Sequence, residues 1–170
     1  MRLPPLATAA AVTFALDQAT KLAVVFGLDL QNRGEIDLLP PLLTFRMAWN
    51  EGVNFGLLSQ QGDLMRWLLI AVALAISGWV LVWVRRERAG LRGQVAAGLL
   101  IGGALGNVVD RLAYGAVADF LNMSCCGFEN PYAFNIADIA IFAGAIGLVL
   151  FTGKPSANSG GAARAGRKSP

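Results

Sequence analysis

The residues able to carry chemistry in this chain are limited by what it lacks. It contains no histidine, and its two cysteines, Cys125 and Cys126, are adjacent. Ser-His-Asp triads, Cys-His pairs and histidine-ligated metals are therefore excluded. Carboxylates, amides and hydroxyls remain, and Asp119 and Asp138 stand out because each lies near the end of a long apolar segment. Two neighbouring carboxylates that share one proton can act as a general acid and a general base.

The elements that must position these groups are membrane helices. The 170 residues are 55% apolar and 15% charged, with a mean hydropathy of +0.55. Soluble domains have about 25% charged residues, so a soluble domain, a disordered chain and a nucleic-acid-binding domain are excluded. A spanning helix needs about 20 apolar residues, and four segments qualify: 6–26, 67–84, 94–114 and 132–151. We predict an all-α membrane protein with four transmembrane helices in one domain, 1–153, and a disordered tail, 154–170.

The distribution of basic residues predicts how these spans are oriented. Lys and Arg favour the cytoplasmic side of a membrane. Most of the fourteen lie at the N-terminus, between spans two and three, and in the tail: Arg2, Arg85, Arg86, Arg88, Arg92, Lys154, Arg164, Arg167 and Lys168. Both termini are therefore expected in the cytoplasm, with loop 27–66 outside. Because the first span contains Asp17 and Lys21, we interpret it as a retained helix rather than a cleaved signal sequence.

The long outer loop has the pattern of a small sheet. Residues 43–50 alternate apolar and smaller or polar side chains at the period of a strand. Turn residues follow, and they predict a second strand at 53–58. We therefore expect a small β-sheet between helices 1 and 2, lying on the outer leaflet.

Polar groups inside the spans share one depth. Ionisable residues in a membrane are costly and indicate function by default. Given the predicted orientation, six groups fall in the outer half of the bilayer or at its surface, with Asn135 and Asp138 about two turns into span four: Asp17, Lys21, Arg111, Asp119, Asn135 and Asp138. Asp17 and Lys21 are four residues apart and can form a structural ion pair, so their contribution to a site is left open.

Small residues predict which spans are neighbours. Gly98, Gly102 and Gly106 recur every four residues in span three, and span four has Ala140 and Gly144. Such ridges let membrane helices approach closely, which would bring Asp119 and Asp138 together. A carboxylate pair of this kind could hydrolyse a peptide bond without a metal or cofactor. A proton-coupled transporter and a purely structural polar cluster remain open alternatives on spacing alone.

Five motifs resemble those of the lipoprotein signal peptidase family, also called signal peptidase II. They lie in order along the chain at 17–21 (DQATK), 50–56 (NEGVNFG), 102–111 (GGALGNVVDR), 115–120 (GAVADF) and 134–138 (FNIAD). The resemblance implies an aspartyl endopeptidase of the bacterial inner membrane, with its active site facing the periplasm. Its substrates would be prolipoproteins, cleaved just before a diacylglyceryl-modified cysteine.

The same resemblance implies roles for individual residues. Asp119 and Asp138 would be the catalytic pair, and seven residues would line the substrate site: Asp17, Lys21, Asn50, Gly52, Asn107, Arg111 and Asn135. We further expect no metal or cofactor, no nucleic-acid partner, membrane lipids as surroundings and a monomeric state. Asp110 is assigned a structural role because it lies about 100° around the helix from Arg111. Cys125 and Cys126 are expected to be free thiols without a part in catalysis.

Overall fold

The computed structural model describes residues 4–52 and 62–152, which form four long helices and one small sheet. The elements are helices α1 (Pro4–Lys21), α2 (Leu30–Arg33), α3 (Gly62–Arg86), α4 (Leu91–Tyr114) and α5 (Ile136–Thr152), and strands β1 (Glu35–Leu39), β2 (Leu43–Asn50) and β3 (Val117–Asn122). A π-helical segment, Leu22–Gly27, continues α1. The predicted second strand at 53–58 and the predicted tail at 154–170 lie outside the described residues.

In the described part of the chain, three helical segments are long and apolar enough to cross a membrane: Pro4–Gly27, Asp63–Arg86 and Leu91–Tyr114. They coincide with the first three predicted spans. Helix α5 is also apolar but has 17 residues, or about 25 Å at 1.5 Å per residue. Large apolar side chains on α3 and α5 face outward, including Trp79, Phe142 and Val149, as expected for surfaces that contact lipid.

The fourth predicted span begins too early. Residues 132–135 are not helical, because Phe134 forms a backbone bridge with Leu121 of β3. The Phe134 amide donates to the Leu121 carbonyl at 2.9 Å, and the Leu121 amide donates back at 2.8 Å. Asp138 therefore lies in the first turn of α5 and not two turns into a helix.

Helix α4 is central, and its glycines define two different contacts. Gly98 and Gly102 face α1, where a Cβ on Gly98 would come within 2.6 Å of the Leu6 carbonyl. Gly103 faces α5 instead, and a Cβ there would come within 2.5 Å of the Ala137 carbonyl. The predicted contact between spans three and four is present, but the regular glycine ridge packs mainly against α1.

The sheet joins two distant parts of the chain. Its order is β1-β2-β3 with antiparallel pairing throughout. Strand β2 confirms the predicted strand at 43–50, whereas β3 was not predicted, so the sheet is not confined to the loop between the first two spans. In the register of β2 and β3, Ala48 is opposite Asp119. Phe45 and Phe120 pack edge to face beneath the sheet, with ring centroids 5.7 Å apart.

The expectation of free thiols was wrong. Cys125 and Cys126 form a disulfide with each other in the segment that connects β3 to α5. They lie in a tight turn, in which the Phe128 amide donates to the Cys125 carbonyl at 2.9 Å and Cys126 has a φ of 58°. Asn122 holds this segment independently by donating to the carbonyls of Asn130 and Tyr132, at 2.7 and 2.9 Å.

The close approach of α4 and α5 predicts the effect of adding one methyl group. Gly103→Ala should lower the free energy of unfolding by about 1–3 kcal/mol, the usual cost of overpacking, because the Ala137 carbonyl belongs to the backbone. Gly78→Ala in α3 is the matched control, since nothing lies within 4 Å of its Cβ position. Thermal unfolding of both variants in detergent checks this, and equal stability would contradict the packing described.

Candidate active site

The two candidate aspartates come from different elements and meet at Asn135. Asp119 belongs to β3 and is 2% exposed, and Asp138 lies in the first turn of α5. The Asn135 side-chain amide donates to Asp119 Oδ1 at 2.6 Å. The Asn135 backbone amide donates to Asp138 Oδ2 at 3.2 Å. One fully buried asparagine thus binds both carboxylates.

Asn135 also explains why α5 begins where it does. Its Oδ1 accepts the Asp138 backbone amide at 2.9 Å while Asp138 Oδ2 accepts the Asn135 amide. This reciprocal pair is a capping box, which satisfies donors left free at a helix N-terminus. The helix dipole at this position also favours a negative carboxylate. Capping and positioning of Asp138 are therefore one arrangement.

Asn50 reaches Asp119 from the other side, and Gly52 bonds to Asn50. The Asn50 side-chain amide donates to Asp119 Oδ2 at 3.0 Å, and Asn50 Oδ1 accepts the Gly52 amide at 3.0 Å. Gly52 has a φ of 100°, and a Cβ there would come within 2.6 Å of Leu69 on α3. The end of β2 is thereby held beside Asp119 and next to α3.

Asn107 connects Asp138 to the helix interior. Its Nδ2 donates to Asp138 Oδ1 at 2.9 Å, and its Oδ1 accepts from Lys21 Nζ and from Asn135 Nδ2, each at 3.2 Å. Every polar atom of this buried side chain is therefore paired. The amide orientation is fixed by Lys21, which can only donate.

Beneath the aspartates lies a cluster that we call the buried charge triad: Asp17, Lys21 and Asp110. Lys21 Nζ is 2.8 Å from Asp17 Oδ2 and 2.7 Å from Asp110 Oδ2. All three residues are at most 4% exposed. The Gln18 side-chain amide donates to both carboxylates, at 3.1 Å to Asp17 and 3.0 Å to Asp110.

Arg111 lies at the border of an apolar cavity. The cavity has a volume of about 220 Å³ and is bounded by α3, α4 and α5. Its lining residues include Leu69, Ala73, Ile141, Asn107 and Arg111. Among the described residues, the buried Nε of Arg111 has no hydrogen-bond partner. A cationic donor and an amide therefore face an otherwise apolar space next to the aspartates.

The electrostatics at Asp119 favour a proton. Burial and, to a smaller extent, the negative charge of Asp138 raise the pKa of the Asp119 carboxyl, hydrogen bonds from Asn50 and Asn135 and the charge of Lys21 lower it, and the net pKa is about 6. Desolvation penalises the charged form of a buried acid. Near pH 6 the Asp119 carboxyl can therefore carry the proton that a general acid needs.

Comparison with known proteins identifies the family. A family model described as "Signal peptidase (SPase) II" matches residues 9–153, which is most of the chain. The chain belongs to the signal peptidase II family. Curated relatives include the lipoprotein signal peptidases of Methylorubrum extorquens (strain PA1), 49% identical over 85% of this chain and 82% of the relative, and of Methylobacterium radiotolerans, 48% identical over 82% and 80%.

Two solved structures of bacterial membrane enzymes resemble this signal peptidase II family member. One has a TM-score of 0.71 at 27% identity and covers 84% of this chain and 88% of the other. The second has a TM-score of 0.69 at 28% identity and covers 84% of both chains. The overall fold is therefore one already known for membrane enzymes.

The structure brings most of the predicted site residues around the two aspartates. Asn50, Asn107 and Asn135 bond directly to them. Arg111 borders the neighbouring cavity, and Gly52 is linked to Asp119 through Asn50. Asp17 and Lys21 differ, because they are buried beneath Asn107 and present no surface to a substrate. Within residues 4–52 and 62–152, no group of three or more acidic or cysteine side chains could hold a metal ion, and metal independence itself stays a prediction.

Two further residues belong to this network and were not predicted as site residues. Gln18 donates to two carboxylates, and Asp110 accepts the Ala118 amide at 3.2 Å in addition to pairing with Lys21. The signal for Gln18 was present in the sequence, since a polar side chain inside an apolar span is costly unless it is paired. Asp110 was assigned a structural role on helix geometry, which gave no indication of its bond to β3.

The capping box leads to a prediction that separates two functions of Asn135. Asn135→Ala should lower the free energy of unfolding by about 1–2 kcal/mol, because it removes the cap. Asn135→Ser should lose less than half as much, since serine is also a good N-cap, although it is too short to reach Asp119. Thermal unfolding of the two variants provides the comparison. Equal losses would show that the cap does not govern the start of α5.

Proposed function

We propose that this chain is an aspartic endopeptidase that removes signal peptides from lipid-modified prolipoproteins, cutting before the diacylglyceryl-cysteine. Membership of the signal peptidase II family and the printed name of its relatives, lipoprotein signal peptidase, support the reaction. The aspartic mechanism rests on one observation, the binding of both Asp119 and Asp138 by Asn135. The alternative of a proton-coupled transporter has no support, because the family and the relatives are peptidases.

The two carboxylates have different surroundings, which suggests different roles. Asp138 accepts hydrogen bonds from Asn107 and Asn135 at the start of α5, so its carboxyl is held in a fixed orientation in which it can take a proton from an attacking water. Asp119, with its pKa raised to about 6, is suited to donate a proton to the substrate carbonyl oxygen. Both steps are general acid–base catalysis and require no cofactor.

The remaining site residues are suited to hold an extended substrate. Asn50 lies beside Asp119 and bonds Gly52 in turn, so the end of β2 offers amide groups that can bond a peptide backbone. Asn135 is fully buried, and we propose that it acts through the two aspartates. Arg111 and Asn107 border the apolar cavity, which fits an apolar segment of the precursor. For Asp17 and Lys21 we propose an indirect contribution, since they are buried.

We further propose that α5 completes four membrane spans, with both termini in the cytoplasm of a bacterial inner membrane. Helix α5 has 17 residues, most of them apolar, which is the lower limit of length for spanning a bilayer. The arginines of the α3–α4 connection support a cytoplasmic location for that end of the bundle. The sheet and both aspartates lie at the other end of the bundle, where α4 ends and α5 begins, and this end then faces the periplasm. A single domain over 1–153 and a monomeric state stay predictions.

The experiment that tests the catalytic pair is amide substitution of each aspartate. Asp119→Asn and Asp138→Asn should each lower kcat on a lipidated precursor peptide by at least about 100-fold, the scale of general acid–base catalysis. Asp37→Asn is the matched control, because Asp37 is an exposed sheet aspartate that bonds only Thr44 among the described residues. Near wild-type cleavage by either folded variant would contradict the mechanism.

The position of the site at the membrane boundary predicts a strong dependence on the substrate lipid. Buried acyl chains contribute about 0.8 kcal/mol per CH₂, so they hold the scissile bond at the height of the aspartates. A peptide without the diacylglyceryl group should have a kcat/KM at least about 100-fold lower, equivalent to about 2.7 kcal/mol. The two peptides are compared in the same bilayer. Comparable values would mean that the enzyme recognises peptide sequence alone.

A further inference from the structure

Every side-chain polar atom of the buried charge triad has a hydrogen-bond partner within the protein. Lys21 Nζ has three donors, and its three partners are Asp17 at 2.8 Å, Asp110 at 2.7 Å and Asn107 at 3.2 Å. Helix α4 approaches so closely that a Cβ on Gly106 would come within 2.5 Å of Asp17 Oδ2. No space is left for a substrate group, so the triad acts only through its neighbours.

Each carboxylate of the triad also holds one backbone amide. Asp110 Oδ2 accepts the amide of Ala118 at 3.2 Å, and Ala118 immediately precedes Asp119. Asp17 Oδ1 accepts the amide of Ala137 at 2.9 Å, and Ala137 immediately precedes Asp138. The two bonds are equivalent in kind, one for each member of the catalytic pair.

Lys21 links these two attachments. It binds Asp110, which holds β3, and Asp17, which holds α5. Lys21 therefore fixes the distance between β3 and the start of α5. Its third bond orients Asn107, whose Nδ2 then faces Asp138 Oδ1 at 2.9 Å. The Lys21 ammonium group is therefore connected to the catalytic pair by three routes. Two run through Asp17 and Asp110 to the backbone before each catalytic aspartate, and the third runs through the Asn107 side chain.

Stability alone is a weak reason to bury such a cluster. Removing charges from water is costly, and apolar replacements of buried ion pairs are often as stable or more so. Buried ionic groups are better attested as devices that fix a unique register. A cluster that grips the residue before each catalytic aspartate fits that use.

We propose that Asp17, Lys21 and Asp110 are positioning residues for the catalytic pair, with each carboxylate holding the backbone of one aspartate and Lys21 setting their separation. The proposal rests on the proposed function. It assigns the triad neither to substrate binding nor to bulk stability. Those two alternatives predict different measurements.

The test uses Asp17→Asn and Asp110→Asn, each of which leaves Lys21 with one carboxylate partner. A neutral amide accepts more weakly than a carboxylate, so each variant loosens one attachment. Thr13→Val is the matched control, because Thr13 is buried on α1 one turn before Asp17 and, in the described part of the chain, its side chain forms no hydrogen bond with the triad. All proteins are assayed with a lipidated precursor peptide in one bilayer, and the amide hydrogen exchange of Ala118 and Ala137 is measured.

The expected result is a drop in kcat of at least tenfold in both variants with KM within threefold of wild type, and no change in the control. Exchange should accelerate at Ala118 but not Ala137 in Asp110→Asn, and at Ala137 but not Ala118 in Asp17→Asn. An unchanged kcat, or a raised KM with kcat unchanged, overturns the proposal, and the second result indicates substrate binding. Uniform acceleration at both amides also overturns it, because that is the result of general destabilisation.

Two further measurements separate a failure of this proposal from a failure of the proposed function or of folding. If wild type does not cleave the peptide, the proposed function fails, and the site-specific exchange pattern still decides the positioning claim. If a single variant does not fold, the uncharged combination Asp17→Asn/Lys21→Met/Asp110→Asn replaces it. A folded triple variant with wild-type kcat overturns the proposal, and one with kcat reduced at least tenfold at unchanged KM supports it.

Discussion

The rest of the site depends on one buried side chain, Asn135. Its oxygen caps α5, its backbone amide binds Asp138, and its side-chain amide binds Asp119. An asparagine has both an acceptor and two donors, so it can join a helix start to a strand. The residue whose hydrogen bonds begin α5 therefore also brings the carboxylates of Asp119 and Asp138 together. Both carboxylates lie in a region where charges are poorly solvated.

This arrangement needs helices that approach one another closely. Gly103 and Gly144 allow contact between the α4 and α5 backbones, and Gly98 and Gly102 do the same for α1. Between these contacts the buried charge triad connects three helices to the strand that carries Asp119. Apolar packing therefore sets the distance between elements, while a small number of polar bonds sets the position of each carboxylate.

Local patterns predicted the parts of the fold that depend on local sequence. The alternation at 43–50 predicted β2, and apolar length predicted four spans, of which the first three coincide with helices long enough to cross a membrane. Strand β3 was missed because six residues after α4 become a strand only by pairing with β2, about seventy positions earlier in the chain. For the same reason the start of α5 was misplaced, since the Phe134 bridge to Leu121 is a tertiary contact. The aspartates were found because charge inside apolar segments is rare, but Asp110's bond to Ala118 has no signature in sequence.

The central claim is that one member of the aspartate pair, Asp119, still holds a proton near pH 6. Site-resolved ¹³C NMR of aspartate-labelled protein in detergent micelles measures it directly. The structure predicts a carboxyl signal that titrates at about pH 6 and is absent in Asp119→Asn. Completion of every aspartate titration near the ordinary value of about 4 would contradict it, because both carboxylates would then be ionised and neither could donate a proton to a peptide carbonyl.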